Sequence, residues 1–182
     1  MLTEFQKKKI THLFQFFDAD GNNNVEAEDM DIIVENFAKI FNWEMGDDNS
    51  RNFGGAFKKY WRKLMMVSDT DDNDKISLSE FLQAYERTLV NDETYEQFVK
   101  PFLDNIFPLI DTNKDDKLQL SEFTKLYQGF RNPVENAQKV FNLLDINGDG
   151  VLSKEEVYQH FYDFHFSQDI EKPANAFFGT IK

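Results

Sequence analysis

The 182-residue chain contains no cysteine, so disulfides, thiolate metal sites and S-acylation are excluded. It has no apolar run approaching the roughly 18 residues of a membrane helix, and no stable membrane insertion is expected. The first residues, Met1-Leu2-Thr3-Glu4, offer neither the glycine needed for myristoylation nor an apolar signal core. Positive charge is scarce. Lys and Arg number 20 against 33 Asp and Glu, and the formal net charge of −13 leaves nucleic acid out as a partner. A cytoplasmic, monomeric protein is the expectation.

What is present in quantity is carboxylate, and it is ordered. Hydrophobic residues make up 41% of the chain, enough for a globular core. Four stretches share one spacing of oxygen-bearing side chains: Asp18-x-Asp20-x-Asn22, Asp69-x-Asp71-x-Asn73, Asp111-x-Asn113-x-Asp115 and Asp145-x-Asn147-x-Asp149. Each carries an aliphatic residue at its eighth position (Val25, Ile76, Leu118, Leu152) and an acid at its twelfth (Asp29, Glu80, Glu122, Glu156). This is the spacing of the EF-hand calcium loop, whose positions 1, 3, 5, 7, 9 and 12 wrap oxygens around a hard cation. Position 7 contributes only its carbonyl, so Asn24, Lys75, Lys117 and Val151 all serve there. Glu26, Ser77, Gln119 and Ser153 hold position 9. One match is within the reach of chance in an acidic chain; four, each between helical patterns, point to calcium.

Loop four has glycine, Gly150, at its sixth position, where the backbone turns sharply and a positive φ is easiest without a Cβ. Loops one to three carry Asn23, Asp74 and Asp116 there, the residue types that best tolerate the left-handed region after glycine. Loop four is therefore expected to be the best formed. Ser77-x-x-Glu80 and Ser153-x-x-Glu156 double as capping boxes, so the ligand glutamate also starts the exiting helix. Asp29 is one methylene shorter than glutamate, which suits six-coordinate magnesium better than calcium. Three to four calcium ions are expected, with magnesium competing at loop one.

The loops begin at residues 18, 69, 111 and 145, and apolar residues flank them at helical spacing. Ile10, Leu13, Phe14 and Phe17 precede loop one, and Met30, Ile33, Val34 and Phe37 follow it. Similar sets surround the other loops. The expected architecture is all-α: four helix–loop–helix units paired one with two and three with four through short β contacts, packed into one globule. Residues 1–91 would form the first pair, 92–166 the second, and 167–182 a tail that packs on the core through Phe177 and Phe178. Pro101 and Pro108 should kink or delay the helix before loop three.

With four loops over its whole length, the chain resembles the sarcoplasmic calcium-binding proteins and their bacterial calerythrin-like branch. The resemblance rests on the first loop ending in Asp29, the aromatic and basic stretch Phe57-Lys-Lys-Tyr-Trp-Arg-Lys63, and the ending Pro173-Ala-Asn-Ala-Phe-Phe-Gly179. It implies a closed, all-helical calcium and magnesium buffer whose C-terminal segment covers the apolar face.

Two other readings stay open. A calcium sensor opens a methionine-rich groove to a target. Here the five methionines are Met1, Met30, Met45, Met65 and Met66, and 20 phenylalanines build the core, which favours a closed protein. A coelenterazine-type ligand carrier or photoprotein would use Trp43, Trp61, Tyr60, His160 and His165 to line a cavity, although aromatic residues dominate ordinary cores. No catalytic or organic-cofactor site is expected: His160 and His165 are five residues apart and diverge on a helix. The basic runs Lys7-Lys8-Lys9 and Lys58-Lys59-x-x-Arg62-Lys63 read as solvated faces. No protein target is legible.

Overall fold

The computed structural model describes residues 2–89, 92–179 and 181. Each loop lies between an entering and an exiting helix. Hand one is α1 (Glu4–Phe17), β1 (Asn24–Val25) and α2 (Ala27–Phe41); hand two is α3 (Asp48–Ser68), β2 (Ile76–Ser77) and α4 (Leu78–Ala84). A π-helical turn at Tyr85–Leu89, the single turn α5 (Asp92–Thr94) and a second π turn at Tyr95–Val99 lead into the second pair. Hand three is α6 (Lys100–Ile110), β3 (Lys117–Leu118) and α7 (Leu120–Gly129); hand four is α8 (Ala137–Leu144), β4 (Leu152–Ser153) and α9 (Lys154–Phe166). A 3₁₀ turn at Pro173–Ala176 shapes the tail. Asn91, at the boundary expected between the pairs, lies outside the described residues, as does the side chain of Leu89.

Capping residues place the starts of α1 and α3. Thr3 and Gln6 form a capping box on α1, and the Asp47 carboxylate accepts the Ser50 amide at the head of α3, at 2.7 Å. Pro101 sits in the first turn of α6, directly after the π turn Tyr95–Val99; the chain is already helical from Asp92, so the proline accompanies a widened turn and not the late start expected there. Pro108 is inside α6.

The strands are two residues long and antiparallel. Val25 faces Ile76 across the first ladder and Leu118 faces Leu152 across the second. All four of these aliphatic side chains have 0% exposure. One apolar cluster runs through both pairs. In it α3 packs on α6, and α7 packs on α2. Gly129 shows how closely: a Cβ there would lie 2.3 Å from the Phe37 ring, so α7 can approach α2 only with glycine at that point. Phe177 and Phe178 are buried at the seam, with Phe178 against Phe130 and Phe164 at centroid distances of 4.8 and 4.7 Å.

One of the basic runs departs from its expected exposure. Lys7 and Lys8 are exposed, but Lys9 is fully buried. Its ammonium donates to the Ser167 carbonyl at 2.6 Å and lies over the Phe5 and Phe164 rings. It thereby caps the C-terminus of α9, and burial lowers its pKa to about 8. Neighbouring Ile10 and Leu13 draw this face of α1 inward, so position in the helix overrides charge. The Lys58 run stays largely outside, with Lys58 3.4 Å from Asp31 and Lys63 donating to the Gln97 carbonyl at 2.6 Å.

Candidate metal centre

The four loops are built alike, from the backbone outward. Positive φ recurs at position 6 in every loop: 66° at Asn23, 63° at Asp74, 59° at Asp116 and 85° at Gly150. It recurs also at position 4, at Gly21, Asp72, Lys114 and Gly148, with φ of 76°, 56°, 61° and 73°. The second left-handed residue is not legible from ligand spacing. Lys114 is the least suited to it, since its Cβ crowds the following carbonyl.

These turns point amide groups into each loop. The first carboxylate collects them: Asp18 accepts from Asn22 and Asn23, Asp69 from Asn73 and Asp74, Asp111 from Lys114, Asp115 and Asp116, and Asp145 from Gly148 and Gly150, at 2.8–3.3 Å. Position 5 accepts the amide two residues on, as Asn22 does from Asn24 and Asp149 from Val151. Both oxygens of each first-position carboxylate, and one oxygen at position 5, are thus aimed before any ion arrives.

The twelfth-position acid closes each loop as the third residue of the exiting helix. Glu80 accepts the Thr70 amide and hydroxyl on one oxygen and the Ser77 amide and hydroxyl on the other, at 2.8–3.0 Å. Burial works against its charge, but these four bonds outweigh it and bring the pKa down to about 2. Glu122 is held by Thr112 (amide 2.7 Å, hydroxyl 2.6 Å) and by the Gln119 amide. Glu156 accepts the Ser153 amide and hydroxyl through Oε2. Asp29 has 0% exposure and accepts only amides, from Ala19, Asp20 and Glu26. Burial prevails over those three bonds and raises its pKa.

Asp18, Asp20 and Asp29 each bring a carboxylate oxygen within 4.8 Å of the others, and so do Asp69, Asp71 and Glu80. Among the described residues no other group of acidic or histidine side chains converges so closely. Loops three and four have Asn113 and Asn147 at position 3, so an amide oxygen replaces one carboxylate there. At position 9 of loop one, the Glu26 carboxylate accepts from the Asn22 side-chain amide and from Lys75 of the paired loop, the latter at 2.8 Å. Like-charged oxygens held together on fixed amides, with no sulfur or imidazole, fit a hard divalent cation.

His160 and His165 point into separate places: His160 Nε2 is 2.7 Å from the Leu144 carbonyl, and His165 Nδ1 is 2.7 Å from the Phe161 carbonyl. Of the five residues expected to line a ligand cavity, Tyr60 and His165 border the internal apolar cavity of about 40 Å³; Trp43, Trp61 and His160 are not among its lining residues.

Residues 100–162 match the EF-hand domain pair family. Over 95% of its length the chain is 23% identical to sarcoplasmic calcium-binding proteins I, III and IV of Branchiostoma lanceolatum, covering 77% of that sequence. It is 22% identical to calerythrin of Saccharopolyspora erythraea, over 94% of this chain and 98% of the other. Along most of its length the chain is thus similar to the sarcoplasmic calcium-binding proteins and calerythrin, with an EF-hand pair at residues 100–162. This EF-hand protein superposes on the amphioxus sarcoplasmic calcium-binding protein with a TM-score of 0.78 at 20% identity, covering 99% of each chain. It also matches the calcium-loaded coelenterazine-binding protein of Renilla muelleri with a TM-score of 0.73 at 25% identity, covering 98% of this chain and 99% of that one. Calcium is its ligand. No helix among the described residues is long and apolar enough to cross a membrane.

Proposed function

We propose that this EF-hand protein is a closed calcium and magnesium buffer that uses all four loops, with magnesium competing at loop one. The ligands are the side chains of positions 1, 3, 5, 9 and 12 and the carbonyls of Asn24, Lys75, Lys117 and Val151. The amides of each loop hold the carboxylates in place, and the fold supplies their mutual repulsion; a bound cation supplies the opposing charge. The observation that carries the closed state is the seam. Phe177 and Phe178 are buried, and the apolar cavity they line with residues of both pairs is about 40 Å³. A pocket for an organic molecule spans about 300–1,000 Å³. Met45 and Met66 are exposed singly rather than gathered in a groove.

The competing reading is a coelenterazine-type carrier, favoured by the resemblance to the Renilla protein and by the aromatic lining of the cavity. Calorimetric titration with calcium, with and without millimolar magnesium, tests both when an apolar-surface dye is recorded in parallel. Four sites, magnesium competition at one of them and a flat dye signal are the expected result. A calcium-dependent rise in dye fluorescence would overturn the closed buffer and direct the search to a target helix or an aromatic ligand.

A further inference from the structure

Helix α7 begins at the closing acid of loop three and ends on loop one. Glu122 is its third residue, and its far end closes with Arg131 and Asn132 donating back to the Gln128 and Tyr127 carbonyls at 2.8 and 3.3 Å. In this helix stop the penultimate position takes a left-handed residue, usually glycine. Here it is Arg131, with φ of 61°. A strained non-glycine residue at such a point draws attention to its side chain.

That side chain leaves the second pair and crosses to the first. Its guanidinium donates to the carbonyls of Phe16, Asp18 and Ala19 at 2.9, 3.2 and 3.0 Å, and to that of Gln15. Gln15 and Phe16 belong to the last turn of α1, whose carbonyls have no partner within the helix. Asp18 is the first ligand of loop one. The planar fork of arginine spans these four acceptors in a way a single ammonium does not. The neighbours of Arg131 fasten the same junction. Phe130 meets Phe16 edge-on at 5.0 Å, and the Asn132 side-chain amide donates to the Phe178 carbonyl, which His12 of α1 also meets at 3.0 Å. Gly129 lies against Phe37 of α2. Both helices flanking loop one therefore touch the last turn of α7.

We propose that Arg131 couples the loops: a cation that fixes Glu122 in loop three fixes α7, and through Arg131 it orders the entrance of loop one and tightens binding there. This rests on the reading that loops one and three both bind calcium. The charge of Arg131 opposes a cation near Asp18 and Asp29, so the shift from removing it mixes two effects; only the interaction between sites isolates the coupling.

The test is a double-mutant cycle of Glu122→Gln and Arg131→Gly, read by the amide resonances of Gly21 in loop one and Gly150 in loop four during calcium titration. Glycine suits the left-handed position, so Arg131→Gly keeps the helix stop. Glu122→Gln is expected to weaken the Gly21 midpoint about fivefold with Arg131 present and to leave it unchanged in Arg131→Gly. An equal shift in both backgrounds, or none in either, would overturn the coupling. So would equal shifts of Gly21 and Gly150 in Arg131→Gly alone, since that marks general loosening. A Gly21 resonance that never responds to calcium would instead remove loop one as an ion site, and the coupling with it.

Discussion

Asp29 and Glu80 occupy the same place in two loops that share a β-ladder, each the twelfth residue of its loop and the third of its exit helix. Their settings differ. Glu80 gains two hydroxyls besides two amides and is held strongly ionised. Asp29 is drawn entirely into the protein by its shorter arm, meets only amides, and is pushed towards its neutral form by burial. Identity of motif thus does not mean identity of field. The hydroxyl at loop position 2, present in Thr70 and Thr112 and missing at Ala19 and Ile146, separates loops two and three from loops one and four.

The comparison breaks most visibly in ion counts. Glu80→Gln and Glu156→Gln should each lower calcium stoichiometry by one while helical content holds, and Asp29→Asn should do the same. Calorimetry on the three variants decides. If Asp29→Asn alone leaves the count intact, loop one is only a pairing partner for loop two.

Acid separates the two pairs next. Burial lowers the pKa of His165 to about 4, and His160 is lowered too, both on α9 of the second pair. The unfolded chain takes up its proton near pH 6.5, so as pH falls from 6.5 towards 4 the unfolded state binds more protons and folding stability declines. For His165 the loss is on the order of 3 kcal/mol. Metal-free denaturation curves across this window should steepen accordingly, and His165→Phe should flatten them; an unchanged slope would remove His165 as the cause.

Asp29→Glu sharpens the contrast between loops one and two. The longer arm offers a second oxygen to a cation, and the ratio of calcium to magnesium affinity at loop one is expected to rise about tenfold. Magnesium competition during calcium titration reads it, and an unchanged ratio would show that the burial of position 29, not its length, sets the preference. The smallest effect belongs to the turns. Asp116→Gly relieves a left-handed Cβ contact and should stabilise the metal-free protein by about 0.5–1 kcal/mol, net of the entropy of glycine. Gly150 is already glycine and serves as the reference; a destabilised Asp116→Gly would mean that the Asp116 side chain contributes more than its backbone strain costs.

The hands are legible in the sequence because their determinants are local. Helical spacing places Ile10, Leu13 and Phe14 on the buried face, and position 8 places Val25 and Ile76 on the ladder. The pairing of one with two and three with four follows. The left-handed residue at position 6 is legible from Asn23, Asp74 and Asp116. That at position 4 is not, because Lys114 carries no sign of it. The fate of Lys9 is hidden for another reason. Its partners, Ser167 and Phe164, are distant in the chain, and only tertiary packing brings a lysine and a helix end together. The same holds for Arg131, whose acceptors are backbone atoms and leave no trace in residue type. The hydroxyls of Thr70 and Thr112 could have been found, since both stand directly after the first ligand of a loop.

The junction of Lys9 with Ser167 and of His12 with the Phe178 carbonyl has a consequence for synthesis. Helix α1 leaves the ribosome more than 150 residues before the segment that closes on it. While translation proceeds, the first two hands are present as a pair whose apolar side, including Phe16, has no cover. That half-made protein is the species most exposed to aggregation or chaperone capture, and it persists until residue 178 emerges. Binding calcium during translation would stabilise the early loops without completing the molecule, because the contacts that finish it are side-chain nitrogens on backbone oxygens, not bound ions.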